Sequence, residues 1–522
     1  MWGERNKVYI NMNKRFKAVV LTFLFAVLSS VVNIVLNLIY NKYIIQIYGS
    51  EVNGLIATLT QFISMFSVIE GGFTTAAIVA VYKPIMENEN ELLNNILYTA
   101  KQNFMKIGLI ITTGSLCLGS IYIYFIDSPY SYGKTLVLML ICSVTTGLSL
   151  CYLSKYQILL YGNNKEYIYV FFALISKSLT WIISIILILN KVSVVSVYFI
   201  NIIDILISGI MIKKYQAANY KHISFKGKYD RSLIKGTKDV FFQKIANTIF
   251  TSTDLILISV FIGLAASSIY NLYCQIFRAI FNLLASIVQA PFNSIGQIAH
   301  SEEKEAKLIP IFKIYQYTSM ILSTILLTVT GVMILPFVYF YTKKFVDYNY
   351  IIPSLIILFF SQFFLQIINR PFGNLLNATG NFNRQNAQCA AAAVVNLVVS
   401  VAFIKVWELN SIIFGSCVGT LVILMTNIYI ISKVFDDMSF FKIVKQIMLN
   451  YIVGIIAIYT SLKMYSLNYN IYLLVMVEVF SVCLIVLLAN FLVFGEDAKV
   501  AIRYFIKQLP FKRNYINESS DK

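Results

Sequence analysis

Long apolar runs recur from one end of this chain to the other, each about as long as a membrane crossing. A hydrocarbon core about 30 Å thick takes roughly 20 apolar residues as helix. Such runs lie near 18–40, 53–80, 104–126, 135–156, 167–189, 193–212, 239–262, 269–292, 315–340, 351–369, 385–404, 410–432, 447–464 and 470–494. A backbone in lipid must satisfy its own hydrogen bonds, and a helix does so within one segment. The expected fold is therefore all-α, a polytopic membrane protein of about 14 transmembrane helices. The run at 53–80 exceeds one crossing and is expected to tilt or bend. Composition agrees: 58% of the 522 residues are hydrophobic and 13% charged, against about 25% charged in a soluble domain.

The net charge of +18 could point to nucleic acid, but its placement points to a membrane. With the N-terminus set inside, inward segments hold 33 of the 42 Lys and Arg residues. These are five up to Lys17, three across 81–106, two at 155–165, nine across 213–244, three at 304–313, Arg370 and Arg384, three at 433–445 and six in the tail. Outward segments hold Lys42, Lys134, Lys191, Lys343, Lys344, Lys405 and Lys463. This positive-inside bias predicts that both termini are cytoplasmic. The basic loops then face the anionic inner leaflet, so membrane lipids rather than nucleic acid are the expected partners.

Several chemistries find no support. Leu21 to Tyr40 is too long for the apolar part of a cleavable signal, and no Ala-x-Ala site follows it. All seven cysteines fall in predicted spans and none forms a Cys-x-x-Cys pair, so neither a disulfide framework nor a metal site is expected. Gly133-Lys134-Thr135 resembles the end of a phosphate-binding loop, but Ser128 stands where the first Gly belongs. The two histidines, His222 and His300, lie in inward loops, and no His-Glu-x-x-His or Gly-x-Ser-x-Gly occurs. The chain is expected not to be an enzyme and to carry no cofactor.

The longest inward connection, 213–238, divides the first twelve spans into six and six. The expected organisation is an N-lobe at 1–212, a basic linker at 213–238, a C-lobe at 239–432, two further spans within 433–494 and a tail at 495–522. Even numbers of spans let both lobes enter from the same side, so copies would be related by an axis along the membrane normal. An offset of 214 brings Asn33 to Asn247, Gly49 to Gly263, Gln61 to Gln275 and Ala76 to Ala290. A second correspondence pairs the turn at 159–163 with that at 377–381. In the tail, Lys499, Arg503 and Lys507 share one helical face, which suits a helix lying on the inner leaflet.

Ile47-Tyr48-Gly49-Ser50-Glu51-Val52-Asn53-Gly54-Leu55 resembles the turn between the first two spans of the polysaccharide transporter family, the Wzx-type flippases of the MOP (MATE-like) exporter superfamily. Glu70-Gly71-Gly72-Phe73-Thr74-Thr75-Ala76 is similar to the small-residue stretch of that family's second span, and Asp254–Ile258 through Gly263 to Tyr270 to its second half. The chain departs from the pattern at Ile47-Tyr48 and at Ser268, which replaces the second Gly in the later copy. The resemblance covers roughly residues 15–490. It implies an inner-membrane flippase that moves undecaprenyl-pyrophosphate-linked oligosaccharide, a unit of O-antigen (lipopolysaccharide), capsule or exopolysaccharide, to the outer leaflet by alternating access. It would act as a monomer, with polysaccharide polymerase and chain-length machinery as further partners. Fourteen spans also resembles MurJ-type lipid II flippases, whose last two spans form a groove for the lipid tail; drug-exporting MATE relatives usually have twelve.

Ionisable groups within spans face a cavity or a partner. A pyrophosphate needs fixed positive charge at low dielectric. Lys177 and Arg278 lie within spans of opposite lobes, and Arg370 ends the tenth span beside Pro371; these are the candidate head-group residues. The competing reading is a structural ion pair, such as Lys177 with Asp204 or Arg278 with Asp254. Glu70, Asp204 and Asp254 are the acids available to carry a coupling ion or to balance a cation. Asn33, Asn37 and Asn247 could line a cavity, although Asn within spans commonly joins helices. Two rivals remain: a MATE-type drug or cation exporter, and a membrane polysaccharide polymerase or ligase. The latter usually carries a long external loop, whereas every outward connection here is short and lacks His.

Overall fold

A computed structural model of the chain describes residues 2–500 apart from 71, 235–237, 290, 292–294, 296, 297, 299–303, 380, 381, 436 and 466–470, with side chains described for a smaller set. No strand occurs among the described residues. The helices are α1 (Trp2–Tyr48), α2 (Ser50–Phe66), α3 (Phe73–Glu87), α4 (Asn90–Tyr122), α5 (Tyr132–Gly162), α6 (Glu166–Leu189), α7 (Val194–Asn219) and α8 (Lys238–Phe261). They continue with α9 (Leu264–Gln289), α10 (Lys304–Thr342), α11 (Pro353–Ala378), α12 (Phe382–Trp407), α13 (Leu409–Val434), α14 (Phe440–Tyr465) and α15 (Ile471–Val493).

Twelve of these are long and apolar enough to cross a membrane among the described residues. The other two predicted spans fall on α8 and α15, whose described apolar parts are Ser252–Phe261 and Val477–Val493. The chain is a multi-pass all-α membrane protein. Its surface says so independently: Leu24, Leu28, Val31, Val35 and Ile39 form an exposed apolar stripe along α1, at the spacing of one helical face.

The predicted run at 53–80 is not one helix. It breaks after α2 into a single 3-10 turn, Ser67–Glu70, and resumes as α3 after Gly72 in the left-handed conformation. In the other direction, α11 runs through Pro371 to Ala378, so Arg370 lies within a helix rather than at its end. Proline removes one donor and crowds the carbonyl four residues back, yet the helix continues past it to Ala378. The tail helix predicted from Lys499 lies almost wholly outside the described residues.

The chain forms two compact units, one of residues 1–271 with 344–348, the other of 272–343 with 349–522. In the first, α4 packs on α5, α5 on α7, α6 on α7, and α1 on α6. Its core has two apolar clusters. One gathers Ile44, Leu55, Leu59, Leu138, Ile188 and Val197; the other gathers Val81, Leu97, Phe104, Leu159, Ile212 and the linker residues Tyr220 and Phe225. Along α4 to α7, the polar residues Thr112, Ser115, Ser143, Ser176, Lys177, Asn201 and Asp204 fall between the stretches contributed to these clusters. Close approach of α4 and α5 there needs Gly108 and Gly147, since a Cβ on either would stand 2.7 Å from the other's carbonyl oxygen. Small residues serve this purpose where helices meet in lipid.

The second unit repeats part of this plan: α10 packs on α11, α11 on α13, and α12 on α13. Its centre is α11, with Phe359, Phe360, Phe364 and Phe372 fully buried. The last helices join this unit through α10. Asn450 and Asn490 exchange reciprocal side-chain hydrogen bonds of 3.1 and 2.9 Å between α14 and α15. Ser461 donates to Glu478 at 2.9 Å further along the same pair of helices, and Lys442 and Gln446 both reach Asp497 at 2.9 Å.

Candidate functional site

In the first unit the predicted cation Lys177 is already answered. Its ammonium lies 3.5 Å from Asp204, donates to the Asn201 side chain at 3.3 Å, and stands 5.3 Å from the Trp181 ring. Ser176 donates to Asp204 Oδ1 at 2.5 Å and to its carbonyl at 2.8 Å. One turn of α6 thus meets one turn of α7 through a complete polar network, half-buried between the two apolar clusters. The Lys177–Asp204 pair weighed from the sequence is present.

Asp254 on α8 is buried and accepts from the Tyr270 hydroxyl at 2.8 Å. Glu70 sits at the break between α2 and α3, where Thr74 donates to it. Asn33 donates to Ser29 at 3.1 Å, and Asn37 accepts from Asn41 at 3.3 Å, both along α1. The Asn247 side chain lies outside the described residues.

In the second unit Arg278 is exposed on α9. Arg370 is half-buried on α11, its guanidinium 4.8 Å from the Phe281 ring. Phe281 ends a column of rings alternating between α9 and α11: Tyr273 with Phe359, Phe359 with Phe277, Phe277 with Phe363, and Phe363 with Phe281, at 5.5–6.2 Å between centroids. One turn beyond Arg370, Asn374 donates to the Tyr315 hydroxyl at 3.1 Å, which itself donates to the Val288 carbonyl at 2.6 Å. Among the described residues no carboxylate pairs with Arg370. This cation therefore differs from Lys177: a ring face and the Tyr315 hydroxyl lie near it, and no ion pair balances it among the described residues.

The first unit also holds contacts that sequence reading missed, all around the two glycine turns. Gly49 and Gly263 have φ of 94° and 129°, a region open to glycine because it lacks a Cβ. Past the first turn, the Asn53 amide donates to the Ser268 hydroxyl at 2.7 Å. A Cβ on Gly54 would fall 1.7 Å from the Leu264 carbonyl oxygen. Under the offset of 214, Gly54 and Ser268 are equivalent positions, so copies of one sequence motif meet each other. The Asp347 carboxylate accepts from the Ser50 amide at 2.6 Å, capping α2, and the Tyr348 hydroxyl donates to Glu51 at 2.9 Å.

The basic linker is built into the first unit too. Asn94 accepts from the Ser224 amide at 2.9 Å, Asn95 from the Lys228 amide at 2.8 Å, Thr99 from the Asp230 amide at 3.1 Å, and Asn103 from the Tyr229 hydroxyl at 3.0 Å. Asp230 in turn accepts from the hydroxyl and amide of Ser232, which hold its carboxyl below the usual range. Residues 220–234 thus form a strap along the start of α4. The sequence carries a signal for it: Asn95, Thr99 and Asn103 recur every four residues on one face.

No protein-family model and no curated protein matches the chain. Solved structures do match. A lipid II flippase MurJ in an inward closed conformation aligns with a TM-score of 0.66 at 14% identity, covering 91% of this chain and 99% of that one. An inward-facing multidrug resistance MATE family transporter of the MOP superfamily aligns at 0.63 and 11% identity, over 83% and 96%. The eukaryotic MATE transporter AtDTX14 aligns at 0.56 and 11% identity, over 83% and 98%. At such identities the likeness shows the fold alone, an all-α membrane fold shared with these structures.

Proposed function

We propose that the chain is an inner-membrane flippase for undecaprenyl-pyrophosphate-linked oligosaccharide, working by alternating access between two six-helix lobes with both termini cytoplasmic. The observation that carries this reading is Arg370. A guanidinium with no carboxylate partner among the described residues, half-buried at the foot of an aromatic column, suits a phosphate that needs forked donors and a sugar that stacks on rings. Arg278 is the second candidate. Lys177 enters with its charge already balanced by Asp204 and serves first to hold α6 to α7. The fold likeness to a lipid II flippase extends over 91% of the chain, and α14 and α15, beyond the first twelve spans, are available for a lipid tail. Glu70 and Asp254 are the candidate acids for a coupling ion. The chain would act as a monomer beside polymerase and chain-length machinery.

On the orientation given by the positive-inside bias, the contact of Asn53 and Gly54 with Ser268 and Leu264 lies on the outer side.

The decisive experiment is deletion of the gene followed by localisation of the lipid-linked glycan. Precursor trapped in the inner leaflet is expected; unpolymerised glycan reaching the outside overturns the proposal in favour of a polymerase or ligase. Arg370→Gln, with protein reaching the membrane at normal level, should lower glycan export at least tenfold, the loss of one charged hydrogen-bonded partner. A second reading, a MATE-type drug or cation exporter, draws support from the inward-facing MATE likeness and from Asp254, a buried acid held by Tyr270. Normal glycan display with raised drug sensitivity in the deletion strain would favour it.

A further inference from the structure

Between α10 and α11 the chain changes unit twice. It leaves the second unit after Lys343, runs through residues 344–348 as part of the first, and returns at Asn349. Two hydrogen bonds join these five residues to the start of α2, 297 positions away in sequence. The Asp347 carboxylate accepts from the Ser50 amide at 2.6 Å, and the Tyr348 hydroxyl donates to the Glu51 carboxylate at 2.9 Å.

The first amides of a helix have no partner within it. The N-cap of α2 is Gly49, which has no side chain to offer them. A carboxylate suits that place, as acceptor and as counter-charge to the helix dipole. Asp347 brings one from a distant part of the chain. Asp347 and Tyr348 are themselves exposed, so neither bond is sealed into a core.

The return to the second unit is abrupt. Tyr350 is buried, and its carbonyl accepts from the Tyr273 hydroxyl of α9 at 2.8 Å. The Ile352 amide donates to the same hydroxyl at 3.3 Å. From Tyr348 to Tyr350 the chain takes two steps, which reach at most about 7 Å. A connection so short has no slack. If Tyr350 moves away from α2 beyond that reach, the bonds of Asp347 and Tyr348 must break.

We propose that residues 344–348 are a releasable latch on the outer side. They hold the α10–α11 connection to the first unit through the start of α2, and let go as that side opens. The latch rests on the alternating-access reading above and is independent of the cargo. Each bond ends on a carboxylate oxygen, and losing one shifts an equilibrium about tenfold or more. Such a grip biases the cycle and can still be broken within it.

The test is pulsed electron spin resonance on spin-labelled full-length protein with its native cysteines replaced. One label pair, Gly133→Cys with Val346→Cys, reads whether the latch sits on the first unit. The other, Gly133→Cys with Lys405→Cys, reads the outer ends of the two units. Val346 is 99% exposed, Lys405 is exposed, and a Cβ on Gly133 meets open space. Asp347→Ala with Tyr348→Phe should raise the long-distance fraction of the first pair about tenfold or more, and lengthen the second pair with it. Each single variant should do less. Thermal unfolding should stay unchanged, since both side chains are exposed. A first pair unmoved by the double variant overturns the latch, because other contacts then hold the segment. A first pair that lengthens while the second stays as it was also overturns it, because the segment then controls no opening. A second pair with one fixed distance in the otherwise native protein, with and without undecaprenyl pyrophosphate, and in the double variant, overturns alternating access itself and the latch with it.

Discussion

At the residue scale, the fate of the intramembrane charges separates what sequence could say from what it could not. That Lys177 needs a partner follows from the cost of a bare cation in lipid, and Asp204 was among the acids available. Which acid it takes depends on how α6 crosses α7, and the order of residues does not contain that. Arg370 shows the reverse: the proline beside it suggested a helix end, yet the helix continues. The Lys177–Asp204 pair makes a separable prediction. Asp204→Asn should destabilise the protein by about 1–2 kcal/mol, less than the 3–5 kcal/mol of a fully buried pair, because the lysine side chain is 31% exposed. Lys177→Met combined with Asp204→Leu should recover most of that loss, read as thermal unfolding in detergent. If the double variant is stable yet exports no glycan, Lys177 handles substrate as well as structure.

At the element scale, the helices were legible and their joints were not. Each of the fourteen apolar runs has a helix on it, since hydropathy over twenty residues is a strong signal. The break at 67–72 rests on a short glycine-rich stretch, and a window that averages twenty residues blurs it. The strap at 220–234 is a further case: a charged, irregular segment reads as a tether, but α4 supplies a row of side-chain acceptors for its backbone. Asn95→Ala should remove one of these acceptors at a cost of about 1 kcal/mol. Gly227→Leu should act more strongly, since a Cβ there would meet the Asn95 Oδ1 at 2.4 Å and its backbone just beyond. Hydrogen exchange should quicken across 220–234 in both variants and stay unchanged in α10 to α13. Exchange that remains slow in both would mean the apolar burial of Tyr220 and Phe225 holds the strap without those bonds.

At the scale of the whole molecule, the offset of 214 gains a physical meaning. Four identities at that spacing say little by themselves. The packing says more: α4, α5, α6 and α7 contact one another in the same order as α10, α11, α12 and α13, and the equivalent positions Gly54 and Ser268 meet. A contact between copies of one motif lies where a twofold relation would bring the copies together. Under the proposed alternating access this contact would have to open during the cycle. The prediction is that fixing it stops transport. With the native cysteines replaced, Asn53→Cys and Ser268→Cys should be joined by a short thiol cross-linker, because their polar side-chain atoms stand 2.7 Å apart. Cross-linked protein should be inactive in glycan export and regain activity when a cleavable linker is cut, while either single variant stays active. Full export by the cross-linked protein would mean that these two turns never separate during the cycle, and the opening would have to be sought elsewhere in the fold.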